Sequence, residues 1–514
     1  MAGFFGYVGS VRAAESLNVR AVARVLLQRG ATIRTIEDRE ADGRFVTVLL
    51  ECGDAEERVA SSAGNGSIGS LAPILLFDGP GRDVMREKLA SVRDVDSFVT
   101  RELDAGSLHG GFAFGVWSRT HRTIAIGCDH AGLRPVYFRA TESWFAFSTD
   151  VGALLASDLL TPRVSVSALL AYLRDGGVPD GCLVDGVTRL KPGSYIIVRP
   201  YTSSSGELRR ENVLDESSSP SPSDLRDTIA RRITPGEPVA LVSREEGFPC
   251  ETLLDAVRQA GAGSVVRLSL SANGQGACEA GASVGGNVID LEDLHPKDVL
   301  DGVLGSWDQP IADGVLSWLA ASRARRLGAR LLLCDLVPAA GEPSAPVGFL
   351  ARLIRREARG SPTLWPLFST EEVHDLLGSQ AVAYPEGAAD PEPPWHRHEL
   401  SSLTQIARAQ SLDLCAPFVE RPCLVRRPPG RPARPTARAL PFRTLRSWIL
   451  DHYATQGLDA LQALAEAGIL SSNALSNLWN RFRHDVEPRT TARIWALIPL
   501  GFWVRRHAIG GLAR

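Results

Sequence analysis

The stretch Pro238–Pro249, PVALVSREEGFP, has the layout of a nucleotide site. A short β-branched run, Pro238–Val242, enters a loop at Ser243 and then a helix from about Cys250 to Ala260. Strand, loop, helix is how an open α/β sheet presents backbone amides and a helix N-terminus to phosphates. A second apolar run, Leu331–Leu333, ends at Cys334-Asp335, which places a thiol and a carboxylate where a strand stops. Cys250, Cys334 and Asp335 are the residue types of a nucleophile and its base. Asp308, two residues before Pro310, suits a cap or turn by type. His396 and His398 suit a metal by type, but their Pro-rich surroundings, Tyr384–His398, read as a solvated loop.

Composition narrows these chemistries. The chain has 514 residues, 44% hydrophobic and 22% charged, enough for two large domains with ordinary cores. Its formal net charge of -3 gives no electrostatic case for nucleic acid or a membrane surface as the main partner. The eight cysteines form no C-x-x-C pair, which argues against a zinc site or a disulfide framework and fits a reducing cytosol. The start, MAGFFGYVGS, lacks the basic and apolar regions of a signal peptide. The apolar run Ile494–Val504 is far short of the ~20 residues of a membrane span.

The elements that must position these groups come from periodicity. In Gly110–Asp150, residues Phe112–Trp117, Thr123–Cys128, Val136–Phe138 and Trp144–Ser148 alternate as short strands. The turns between them contain Gly132 and Pro135, which predicts a half-buried antiparallel meander. Phe4–Val8, Arg44–Cys52 and Leu71–Gly79 read as strands, Val19–Gly30 and Ser165–Asp175 as helices. Thr202–Ser223 is rich in Ser, Glu and Pro and reads as a linker. Ser223–Arg232 and Val315–Leu327 are expected helices, and Val265–Ser271 a buried strand. Arg421–Arg446 is basic and Pro-rich, suited to an acidic peptide or a partner surface, or simply solvated. It lacks the interleaved aromatics of a single-strand nucleic-acid binder. Three helices follow: Phe442–Tyr453, one capped by Ser472 that presents Leu475, Leu478, Trp479 and Phe482 on one face, and Thr490–His507 with Pro499 inside.

Three motifs in order, GGFAFGVW, D-H-x-G-x-R-P-V-Y-F and FAFSTD, resemble the glutaminase-like half of the asparagine synthetase family, which includes β-lactam synthetases and lasso-peptide macrolactam cyclases. Asp129, Gly132, Pro135 and Tyr137 carry the match. Cys182–Val198 resembles the closing strands of that half, and Ala416–Glu420 resembles a motif near the family's C-terminal helices. Asp308-x-Pro310 resembles the family's acidic-x-P segment, and only this resemblance makes Asp308 a candidate catalytic acid. The resemblance implies an N-terminal-nucleophile αββα domain over 1–201, a linker over 202–223, and an adenine nucleotide α-hydrolase-like open parallel sheet with a helical end over 224–514.

The resemblance also implies which groups are missing. Phe5-Gly6 aligns with the family's F-G, so Ala2 stands at the nucleophilic cysteine, and a methyl group cannot attack a carbonyl. Asp78 stands at the oxyanion-hole asparagine, in an alignment that a plain turn explains equally well. Of the phosphate loop S-G-G-x-D-S only Ser243 is kept. Arg244 and Glu245 replace glycines, and Gly247 replaces the aspartate. A carboxylate ~4 Å from a phosphate charge repels it by about 4 kcal/mol at an intermediate dielectric, roughly three decades in affinity. Arg244 offsets part of this, and Ser243 and Arg244 remain the candidate cofactor-binding remnant. Ala339 and Ala340 fall at the family's second acidic pair.

The expectation is a non-catalytic member of a peptide amide- or macrolactam-forming system, with no metal site and no cofactor. It would bind a peptide or an active homologue and work as a homodimer or heterodimer. The alternative is an active ATP- and Mg-dependent amide ligase with a rebuilt site, and a third reading is different chemistry at Cys250, Cys334 and Asp335.

Overall fold

A computed structural model describes residues 3–28, 32–39, 44–53, 73–79, 82–91, 110–129, 131–178, 180–198, 209–212, 222–242, 250–270, 286–289, 294–336, 367–378, 395–420 and 442–513. Contacts divide the chain into two units. The first is Met1–Thr161, Gly186–Thr228 and Val419–Leu424; the second is Pro162–Asp185, Ile229–Phe418 and Val425–Arg514.

The first unit holds β1 (Gly3–Ser10), β2 (Thr32–Arg39), β3 (Phe45–Gly53), β4 (Ile74–Asp78), β5 (Ala113–Ser118), β6 (Thr123–Cys128), β7 (Tyr137–Ala140), β8 (Trp144–Ser148), β9 (Thr188–Arg189), β10 (Ser194–Val198) and β11 (Arg209–Asn212). One sheet runs β2-β3-β1-β8-β7-β9 and the other β11-β10-β6-β5-β4. Alternation decides how they pack. Phe4, Val8, Leu49, Phe145 and Phe147 of the first sheet meet Leu76, Trp117, Ile124, Ile126 and Ile196 of the second in one buried cluster. Each phenylalanine there contributes about 2–3 kcal/mol by leaving water. On the second sheet's other face, Phe77, Phe114, Val116 and Tyr195 cover Met85 and Leu89 of helix Arg82–Ser91. Helix Val19–Leu27 buries Val22 and Leu26 and contacts β1, β2 and β3. The layers run helix, sheet, sheet, helix, which is the expected αββα sandwich.

β1 lies between β3 and β8 and pairs antiparallel with both. Gly6 lies between Phe4 and Val8 in the alternation, and a Cβ there would stand 2.1 Å from the Phe147 ring. The missing side chain is therefore the slot that lets Phe147 enter the core. Phe147 and Phe4 meet edge to face, with centroids 6.1 Å apart.

In the second unit β12 (Pro238–Val242), β13 (Ser264–Leu270), β14 (Gly286–Ile289), β15 (Leu331–Cys334) and β16 (Asp413–Cys415) form a parallel sheet in the order β14-β13-β12-β15-β16. The order reverses between β12 and β15, as in doubly wound sheets. Helices Cys250–Gln259 and Val315–Arg326 supply apolar faces, with Leu253, Val257, Leu319 and Ala320 buried. At the C-terminal end, helix Pro488–Arg506 is buried along most of its length and contains Pro499. A Cβ on Gly501 would stand 1.9 Å from the Ala460 carbonyl oxygen, so helix Ala454–Glu466 lies against it backbone to backbone.

The structure amends the sequence reading in several places. Residues 162–185 pack with the second unit, although the sequence boundary at 201 put them in the first. Tyr172 Oη donates to the Ala496 carbonyl (2.7 Å), and Gln309 Oε1 accepts the Leu183 N–H (2.8 Å). The expected linker 202–223 contains β11, which pairs with β10. The expected meander is split, with β5 and β6 in one sheet and β7 and β8 in the other, and its strands are mostly buried rather than half-buried because helices cover the outer faces. The expected loop Tyr384–His398 ends inside helix Trp395–Ala409. Ser471, not Ser472, caps helix Ser472–His484, and helix Ala454–Glu466 was missed.

Gly6→Ala should lower the unfolding free energy by about 1–3 kcal/mol in a urea titration, because Phe147 must move. Gly6→Ala/Phe147→Leu should recover part of that loss. A neutral Gly6→Ala would refute the slot.

Candidate functional site

The chain crosses between the two sheets of the first unit at the turn Asp129–Pro135, and the Asp129 carboxylate holds the crossing. The Phe112 and Arg134 N–H groups donate to Oδ2 (3.2 and 2.9 Å) and the Leu133 N–H to Oδ1 (3.0 Å). The Asp129 carbonyl accepts from Gly132 and Gly193 (3.1 and 2.8 Å). Gly132 makes the turn at φ +67°, and its carbonyl accepts from Arg189 (3.2 Å). Burial raises the carboxyl from the ordinary 3.8 to about 6; the Leu133 and Arg134 amides pull it down, and the Glu420 charge pushes it up again. Next to it, burial and then the Asp129 charge push the Cys128 thiol up to about 12. That thiol donates to the Lys191 carbonyl (3.3 Å) and is no nucleophile at neutral pH.

Two buried ion pairs stand beside this turn. Asp78, 1% exposed, has Oδ1 3.8 Å from Arg134 Nε. Gly79 follows at φ +134°, where a Cβ would stand 2.4 Å from the Gly111 carbonyl oxygen. Glu51 on β3 accepts the Phe77 N–H (2.9 Å) and Arg82 Nη2 (2.7 Å) through Oε1, and so ties one sheet to the other. Arg82 Nη2 also donates to the Phe77 carbonyl (2.6 Å). Removing one member of a buried pair of this kind costs about 3–5 kcal/mol. Chemically the corner holds carboxylates that stand beside arginines, with Asp129 and Glu51 also accepting from backbone amides. The negative charge of Asp78 opposes a developing oxyanion there.

In the second unit the ends of β12 and β15 lie side by side, Val242 opposite Cys334. This is the position outside the strand ends where open α/β sheets take ligands. Cys334, Asp335 and Cys250 are all buried there or at the start of the following helix. Asp308 is buried at 6% exposure, and its backbone is fixed on both sides. The Asp308 and Gln309 N–H groups donate to Gln405 Oε1 (2.7 and 3.2 Å), and Trp503 Nε1 donates to the Asp308 carbonyl (3.0 Å). Its place is a packed junction, which fits the turn reading.

Ala2, Ser243, Arg244, Glu245, Glu246, Gly247, Ala339 and Ala340 lie outside the described residues, as do the side chains of His396 and His398. Gly3, the first described residue, pairs with Cys52. Cys52, Cys128, Cys182, Cys250, Cys334 and Cys415 are buried thiols outside any disulfide. Among the described residues no group of three or more His, Cys, Asp or Glu is placed to hold a metal, and no helix is long and apolar enough to cross a membrane. Sequence reasoning missed Glu51; its signal was a charged residue inside the apolar run FVTVLLECG. It has Asp129 as part of a turn and of the family match, without its bonds. The D-x-x-G spacing was visible, but not the third donor, which comes from Phe112.

Residues 103–207 match the family model of a glutamine amidotransferase domain, so this stretch is glutamine amidotransferase-like. No curated protein matches the chain. Among solved structures the chain is similar to glutamine phosphoribosylpyrophosphate amidotransferase from B. subtilis complexed with ADP and GMP, at 13% identity over 66% of this chain and 82% of that one, with a TM-score of 0.23. It is also similar to the allosteric regulatory enzyme of purine biosynthesis, at 12% identity over 66% and 82%, with a TM-score of 0.24.

Asp129 sets a pH dependence. Its folded value, about 6, lies above the ordinary 3.8, so its contribution to stability is full below about pH 4 and is lost as pH rises through about 6. The stability advantage of the wild type over Asp129→Asn should shrink by about 3 kcal/mol between pH 4 and pH 7, read by urea titration at each pH. A difference that does not change with pH would remove the titration.

Proposed function

We propose that the chain is a non-catalytic relative of the asparagine synthetase family that serves as a binding partner in peptide amide or macrolactam formation. The observation that carries the reading is the concerted loss at Ala2, Arg244–Gly247 and Ala339-Ala340, and Asp78 agrees with it. At the position where the resemblance puts an oxyanion-hole asparagine, a carboxylate is buried and paired with Arg134. An amide N–H donates to a tetrahedral oxyanion; a carboxylate repels it. Ala2 puts no thiol or hydroxyl at the nucleophile position.

ATP and Mg are the cofactors the lineage implies, and the loop residues do not fit them. Arg244 and Glu245 take the place of glycines that give phosphates room, and Glu245 and Glu246 add negative charge facing negative charge. No step through ATP is therefore assigned. The partner is a precursor peptide or an active homologue in the cytosol, held in a homo- or heterodimer.

One observation favours a second reading, an active ATP-dependent amide ligase or macrolactam cyclase with a remodelled site. The strands that would carry the nucleotide, β12 and β15, keep their adjacent ends, Val242 opposite Cys334.

The two readings separate in solution. On the first, the protein releases no glutamate from glutamine, gives no heat when titrated with ATP and Mg, and is retained by a precursor peptide or an intact homologue. ATP–pyrophosphate exchange above background would overturn it in favour of the second. Failure to retain either partner would overturn the binding role.

A further inference from the structure

The C-terminal helices gather arginine in a way that no step above uses. Arg446, on helix Phe442–Ser447, turns its guanidinium onto the carbonyl end of helix Ser472–His484. Nη2 donates to the Phe482 and Arg483 carbonyls (3.1 and 2.9 Å), Nε to the Asp485 carbonyl (3.1 Å), and the group lies 5.6 Å from the Phe482 ring centroid. This one side chain satisfies carbonyls that the last helical turn leaves open. It also brings the first helix, with exposed Arg443 one turn before Arg446, against the turn that carries exposed Arg481, Arg483 and His484.

Further arginines stand on helix Pro488–Arg506. Arg493 is buried there, with Nε donating to the Leu367 carbonyl (2.9 Å), its fork on the Glu372 carboxylate and its plane 5.5 Å from the Phe368 ring centroid. Arg489 and Arg481 act on it as like charges, and Glu372 and Glu487 as opposite ones. Arg481 and Arg489 thus lie near Arg493, with exposed Asp485 and Glu487 between them in sequence, in a chain whose formal net charge is -3. Residues 421–441, which lead into it, carry six arginines and no Asp or Glu; their structure lies outside the described residues.

We infer that the corner formed by Arg443, Arg481 and Arg483 docks an extended acidic peptide segment. Charges spread over separate helices suit carboxylates at intervals along a chain better than one compact anion. Phe482 and Trp479 are buried, so neither offers a face for stacking a base, which disfavours single-stranded nucleic acid. The inference deepens the binding role proposed above and rests on it for the kind of partner. Its readout is binding alone, so a finding of ATP or glutamine turnover would sink the non-catalytic reading without touching this one.

The test uses the full chain and a fluorescein-labelled Asp/Glu-rich peptide of about 20 residues, followed by anisotropy. Binding should weaken several-fold between 50 and 300 mM salt, as about two to four charge contacts require. Arg481→Glu/Arg483→Glu alters exposed side chains only and should weaken binding at least tenfold. Arg325→Glu/Arg326→Glu, on the exposed part of helix Val315–Arg326, should leave it unchanged. Equal binding by both variants overturns the assignment of this corner. Tighter binding of a Gly/Ser peptide or of a single-stranded oligonucleotide overturns the assignment of the partner.

Discussion

A carboxylate that takes three backbone N–H groups is the constraint on which the first unit depends. Asp129 sits where β6 leaves one sheet and the chain heads for β7 in the other. Its donors come from both sides of the crossing, Phe112 before β5 and Leu133 and Arg134 after the turn. Arg134, fixed by that bond, then meets Asp78 at the end of β4. The ion pair is thus the second step of a sequence that begins with Asp129. Glu51 repeats the theme from the other sheet through Phe77 and Arg82. The acids of this corner are bound to backbone and arginine.

The second unit follows the same logic with amides. Gln309 and Gln405 tie Gly181 and Leu183 to the chain around Asp308, and Trp503 closes the group from the last helix. Neutral side chains can bridge buried backbone without the desolvation cost of a charge. That explains how residues 162–185 leave the sandwich that precedes and follows them in sequence and join another core.

Strands buried inside the sandwich were legible, because alternation is what a buried face imposes on sequence. β5, β6 and β8 fall where the pattern put them. Two charged edge strands were not. β2 (TIRTIEDR) and β11 (RREN) lie at the ends of their sheets, and charged side chains there leave little alternation to see. Of the candidate site, Asp78 and the strand–loop–helix at Val242 were readable from type and order. The Arg134 partner of Asp78 was not, since their contact spans 56 positions, from 78 to 134, and leaves no local signature. The contacts of residues 162–185, such as Tyr172 with Ala496, are likewise remote in sequence.

The place of β1 has a consequence for how the protein is made. Its partners lie at very different distances along the chain: β3 follows soon, but the contact of Ser148 with the Phe4 carbonyl joins residues 144 positions apart. During synthesis, one side of this apolar strand must wait unpaired until β8 has left the ribosome. A hydrophobic strand with an open edge is an adhesive surface for other chains. The nascent first unit is therefore a natural client for chaperones, and its yield should depend on the pace of translation as much as on final stability.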